Sequence, residues 1–211
     1  LITNKEVKKL IKLKLKSKII LADKKNVSDF KFIVPGEHQR QNLAYAVEVA
    51  KQFNIPIAQI KKTVANFKGV EGRLQFLKSY KGIKIYNDNN ATTPEATIAG
   101  IEALKNGKKN IVLICGGADK KLDLTNFVKA INDNCKAVSL IPGTGTNILS
   151  SKKLKVESYK GKELKDIIQK ALEFSKKGDI ILFSPAFASF GMFNNEYERN
   201  DLFMKIINKL K

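Results

Sequence analysis

With 211 residues, 43% of them hydrophobic, the chain can bury one large core, or one core and part of a second. Lysine and arginine outnumber the acids 39 to 20, giving a formal charge of +19, and Arg40, Arg73 and Arg199 are the only arginines. No apolar run approaches the roughly 20 residues of a membrane span, and a single histidine with two cysteines gives neither a metal cluster nor a Ser/His/Asp triad.

The charge admits two readings. A basic surface attracts polyanions, yet the basic groups are scattered and nowhere interleaved with aromatics as in a stacking platform. Nucleic acid is therefore not expected as a partner, and the field is read as favouring a small anionic substrate. A non-enzymatic basic module holding a polyanion is the alternative of a different class. Cys115 and Cys135 sit in or beside apolar segments and read as reduced core thiols of a cytoplasmic protein. Leu1 is not a start methionine and no signal pattern follows, so the chain is expected to be a piece of a longer one.

In chain order, residues 1–34 are the least regular. Lys5–Leu15 lies between helical and alternating periods, and Ile19–Leu21 and Phe30–Val34 read as short strands. Pro35-Gly36 turns the chain into a helix from about Gln39 to Phe53, with Leu43, Ala44, Ala46, Val47 and Ala50 on its apolar face. A second helix, Ile57–Asn66, follows Pro56. Lys68–Gly72 breaks the pattern, and a domain boundary is placed there.

Beyond Gly72 the pattern is regular. Strands are expected at Leu74–Ser79, Ile83–Asn87, Asn110–Cys115, Ala137–Ile141 and Asp179–Ser184. Helices are expected at Pro94–Lys105, Leu124–Asn134, Thr146–Ser151, Lys162–Lys176 and Glu196–Leu210. The first two strands form a hairpin across Lys81-Gly82; the rest alternate with helices. That alternation predicts an α/β fold, its sheet mainly parallel and covered on both faces.

Polar loops end four of these strands: Asp88–Thr93, Gly116–Lys120, Pro142–Thr146 and Ser184–Phe190. With parallel strands they share one edge, where open α/β sheets bind ligands. Each has a plainer reading. Gly116-Gly117 could serve only as a tight turn, leaving Asp119 and Lys120 solvated. Gly143-Thr144-Gly145-Thr146 lacks the lysine of a phosphate loop, and Thr144 or Thr146 is expected to cap a helix. Ser189 could be another cap, and His38, the lone histidine, reads as structural.

An ordered set of motifs carries a family resemblance. Gly36-x-His38-x-x-x-Asn42, Tyr86-Asn87-Asp88-x-x-Ala91-Thr92, Gly116-Gly117-x-Asp119-Lys120, Ser184-Pro185-Ala186-x-Ala188-Ser189-Phe190 and Phe193-x-Asn195-x-x-x-Arg199 follow one another. Together they resemble the C-terminal part of a Mur ligase, and the Ser-Pro-Ala-x-Ala-Ser block resembles the D-glutamate-adding branch. The resemblance implies that residues 1–71 end a P-loop ATP-binding domain. It also implies that residues 72–211 form a C-terminal, Rossmann-like domain of the dinucleotide-binding type.

The implied reaction uses ATP, with magnesium held mainly by residues outside this stretch. The carboxylate of UDP-N-acetylmuramoyl-L-alanine is activated as an acyl phosphate, which the amine of D-glutamate then attacks. Another Mur-type ligase or a folylpolyglutamate synthase is the nearest alternative. The resemblance assigns Asn42, Arg73 and Asp88 to ATP, and Thr92, Lys120, Ser189 and Phe190 to D-glutamate. It assigns no catalytic residue within the stretch, and it implies a monomer and no membrane partner. This sequence departs from the family at Asn90, where many members carry lysine, at Gln75 where they carry glutamate, and at Glu196 where an aromatic residue is common.

Overall fold

A computed structural model of the protein describes residues 1–210. The chain divides into two compact units, Leu1–Gly69 and the part from Val70 onward.

In the first unit, β1 (Ile2–Thr3) pairs in parallel with β2 (Ile20–Leu21). The helix α1 (Lys5–Leu10) starts at Asn4, whose Oδ1 accepts the Val7 N–H at 2.7 Å. A 3-10 turn at Lys24–Val27 leads to α2 (Glu37–Gln52) and α3 (Ile57–Asn66). Leu43, Ala44 and Val47 of α2 close over Ala22, Val27, Phe30 and Ile60. The expected strand at Phe30–Val34 is absent. Packing takes the place of a ladder for part of it: Phe30 lies in the core and Phe32 stacks on Phe67 with ring centroids 6.2 Å apart, while Ile33 is exposed.

In the second unit six strands run in the order β3-β4-β8-β5-β6-β7. They are β3 (Gln75–Tyr80), β4 (Ile83–Asn87), β5 (Ile111–Gly116), β6 (Cys135–Ile141), β7 (Glu157–Lys160) and β8 (Ile180–Phe183). The β3–β4 pair is antiparallel; every other pair is parallel. Lys81 and Gly82 both have positive φ, 50° and 79°, as a two-residue hairpin of the twist-matched kind demands. The strand β7 was not expected from the sequence. It is a four-residue edge strand without apolar alternation, so periodicity does not reveal it.

The two-residue period of the strands sorts their side chains onto two faces. Leu113, Cys115, Val138, Leu140 and Leu182 meet α4 (Pro94–Leu104), α5 (Thr125–Asn134) and α6 (Thr144–Ser151). Ile85, Val112, Ile114, Ile181 and Phe183 meet α7 (Leu164–Phe174) and α8 (Glu196–Asn208) on the other face, where Phe183 stacks on Phe203 at 3.9 Å. Hence β4 and β5 lead to helices on one face, while β8, between them, leads to α8 on the other. In open α/β sheets ligands bind at such a switch of direction, beyond the strand ends.

Candidate functional site

At this edge the strand-end loops form one hydrogen-bonded rim. From the β4 loop, the Asp88 N–H donates to Phe183 O at 2.8 Å, and the Ala186 N–H returns to Ala91 O at 2.9 Å. The β8 loop then reaches the β5 loop: Gly116 N–H donates to Pro185 O, and Ala118 and Ala188 exchange both backbone bonds. The β5 loop reaches α6 through Gly117, whose carbonyl accepts the N–H groups of Gly145 and Thr146. A Cβ at Gly116, Gly117 or Gly143 would overlap the carbonyl of Ile141, Ala188 or Gly117 respectively, so these glycines permit the close approach.

Thr144 and Thr146 do not cap α6, contrary to the sequence-based expectation. The Thr146 hydroxyl donates to Ile141 O and accepts from the Gly117 N–H, while Thr144 Oγ1 accepts the Asp119 N–H at 2.9 Å. Both threonines bind neighbouring strand-end loops, which takes their oxygens away from their own helix.

Asp88 is the buried acid of the rim. Its Oδ1 accepts the Leu74 N–H at 3.0 Å and its Oδ2 the Ser184 hydroxyl at 2.9 Å; Ser184 Oγ also lies 2.9 Å from Thr97 Oγ1. Burial pushes the Asp88 carboxyl up to about 6, against the two donors and the Arg73 charge, which pull it down. Gly100 of α4 faces Oδ2, and a Cβ there would come within 2.9 Å of it. Two non-glycine residues on this rim hold left-handed backbone, Leu74 (φ 48°) and Ala186 (φ 64°).

Thr92 and Lys120 meet: Lys120 Nζ donates to Thr92 Oγ1 at 3.0 Å across two strand-end loops. An ammonium and a hydroxyl side by side at a half-open edge suit a carboxylate. Lys120 is exposed, as the plainer reading required, but it is not without a partner. Ser189 is buried and directly follows Ala188, while Phe190 is 62% exposed on the same loop. Arg73 is exposed at the start of the second unit and forms no ion pair among the described residues. Asn42 belongs to the first unit, where it is exposed on the second turn of α2 and donates to Gln39 Oε1 at 3.3 Å. The helix starts at Glu37, two residues earlier than the sequence indicates.

Sequence reasoning overlooked the supports of this loop. Asn89 is almost fully buried. Its side-chain oxygen accepts Arg199 Nε at 2.7 Å, its carbonyl accepts Arg199 Nη2 at 2.9 Å, and its amide donates to Glu196 O. Asn200 accepts from Asn87 and donates to Glu71. Thr97 and Gly100 share the helix face that carries Ile101 and Leu104, a polar and a small position in an apolar stripe that could have been noticed. Among the described residues no three carboxylate, imidazole or thiol groups converge as metal ligands. No helix among them is long and apolar enough to cross a membrane.

Comparison with known proteins agrees with this architecture. Residues 72–187 match the Mur ligase glutamate ligase domain. A UDP-N-acetylmuramoylalanine--D-glutamate ligase from a Thermoanaerobacter species is 39% identical over 184 residues, covering 84% of this chain and 39% of that protein. The chain thus spans about two fifths of the length of the relative it matches. In fold it is similar to the UDP-N-acetylmuramate-alanine ligase of Thermotoga maritima, with a TM-score of 0.65 at 20% identity over 86% of this chain and 40% of that one. It is also similar to the folylpolyglutamate synthase of Mycobacterium tuberculosis solved with ADP, at 0.65 and 14% identity over 87% of this chain and 43% of that one.

Proposed function

Since this chain belongs to the Mur ligase family, we propose that it is part of an ATP-dependent ligase that adds D-glutamate to UDP-N-acetylmuramoyl-L-alanine in peptidoglycan synthesis. The reading is supported by the 39% identity to a D-glutamate ligase. The observation that carries it to the site is the Lys120–Thr92 pair at the strand-end crevice.

On this reading residues 1–71 end the ATP-binding domain and the rest forms the domain that presents the amino acid. The γ-phosphoryl group of ATP passes to the substrate carboxylate, giving an acyl phosphate and ADP. The D-glutamate amine attacks the acyl carbon, the C–O bond to phosphate breaks, and the amine loses a proton. Activation exchanges a poor leaving group for a good one, and what remains for the protein is positioning and charge stabilisation. Lys120, Thr92 and Ser189 bind and orient the carboxylates of D-glutamate, with Phe190 against it. Asn42, Arg73 and Asp88 serve the nucleotide; a guanidinium, always charged and multiply donating, suits phosphate. Magnesium, bound with the nucleotide, would neutralise charge on the phosphates.

Two substitutions in the complete ligase test the placement. Thr92→Ala removes a hydrogen bond to a charged group and should raise the KM for D-glutamate about ten-fold or more with little change in that for ATP. Asp88→Ala should lower kcat. Unchanged D-glutamate kinetics in Thr92→Ala would move the amino acid off this loop.

A further inference from the structure

Arg199 is fully buried on α8, yet it forms no ion pair among the described residues, and its Nη1 has no hydrogen-bond partner. Burying a guanidinium without a counter-charge is unfavourable. What it gains is two bonds to one residue: Nε to the Asn89 side chain and Nη2 to the Asn89 carbonyl. The neighbouring turn binds the same residue in reverse, through Glu196 O. Asn89 stands between Asp88 and Thr92. Asp88 is fixed separately, by Leu74, Phe183 and Ser184, so the arginine acts on the Thr92 side of the loop.

We propose that Arg199 is a positioning residue that, through Asn89, fixes the Asn89–Thr92 loop in the geometry that binds the amino-acid substrate. Its planar fork is needed because both acceptors belong to one residue; a lysine ammonium in its place reaches one of them at most. Along the clamped segment each amide is bonded: Asn89 to Asn87 Oδ1, Asn90 to Gly72 O, Ala91 to Asp88 O and Thr92 to Asn90 O. Hydrogen exchange at these amides therefore reports on the clamp directly. That the segment binds an amino acid rests on the function proposed above; that Arg199 orders it does not.

The test uses Arg199→Lys, which keeps the charge, and Arg199→Met, which keeps the bulk and removes the buried charge. In this chain both should stay folded by circular dichroism, and the Asn90–Thr92 amides should exchange at least about ten-fold faster while those of β5 are unaffected. In the complete ligase both should raise the KM for D-glutamate about ten-fold, with that for ATP within about two-fold. Faster loop exchange with unaltered D-glutamate KM would keep the clamp but overturn its role in substrate binding. If Thr92→Ala were then also silent, the substrate assignment itself would fall. Loop exchange equal to wild type in both variants, or exchange raised uniformly over the unit, would overturn the proposal.

Discussion

Asp88 carries an ionisable group where a neutral one would hold the fold better. Its carboxyl titrates near 6 in the folded chain, against about 4 when unfolded. Between those values the folded state holds a proton that the unfolded state has released, so stability falls as pH rises through that window. Above it both states are ionised and the full cost, roughly 3 kcal/mol, persists. Asp88→Asn keeps an acceptor for the Leu74 N–H and removes the charge. Thermal denaturation should place its Tm above that of the wild type at pH 8, by about 5 °C, with the gap closing below pH 5. A lower Tm at pH 8 would mean that the Ser184 and Leu74 bonds to the carboxylate outweigh its desolvation. Left-handed backbone at Leu74 and Ala186 adds local strain beside it, as is common where geometry serves binding. A perturbed carboxylate and left-handed residues of this kind often cluster at functional sites.

Among the elements, the strand-end loops interlock through backbone groups, and glycine is what lets them meet. Gly143→Ala would press a methyl group into the Gly117 carbonyl, a backbone atom with nowhere to go. Chemical denaturation should show a loss of about 2–4 kcal/mol. Gly107→Ala, also at a positive φ but with open space around it, should lose only about 1 kcal/mol. Equal losses at the two sites would show that the loop contacts carry no weight. The same contacts explain what the sequence conceals. The Lys81-Gly82 hairpin, the Pro94-Glu95 helix start and the apolar runs of β5 and β8 are local signals, and all are legible. By contrast, Thr146 could not be read as a bridge between loops, because its partners Gly117 and Ile141 become neighbours only when the sheet forms. Arg199 stands in one of the motifs that carry the resemblance, but its partner Asn89, 110 residues away, becomes a neighbour only when α8 packs. Of the proposed site, Thr92 and Lys120 were accessible through the motifs that carry the resemblance; their contact, at a separation of 28 residues, was not.

At the scale of the whole molecule, the +19 charge fits the proposed chemistry. The nucleotide, the UDP-linked sugar and glutamate are all anions, and a basic surface raises their local concentration in a salt-sensitive way. The identity of the amino acid as D-glutamate is open to one assay. The complete ligase is given ATP, magnesium and UDP-N-acetylmuramoyl-L-alanine with a panel of D- and L-amino acids, and amide product and ADP are followed together. D-glutamate should support stoichiometric formation of both, and L-glutamate, L-lysine and meso-diaminopimelate should not. Preferential turnover of an L-amino acid or meso-diaminopimelate would contradict it.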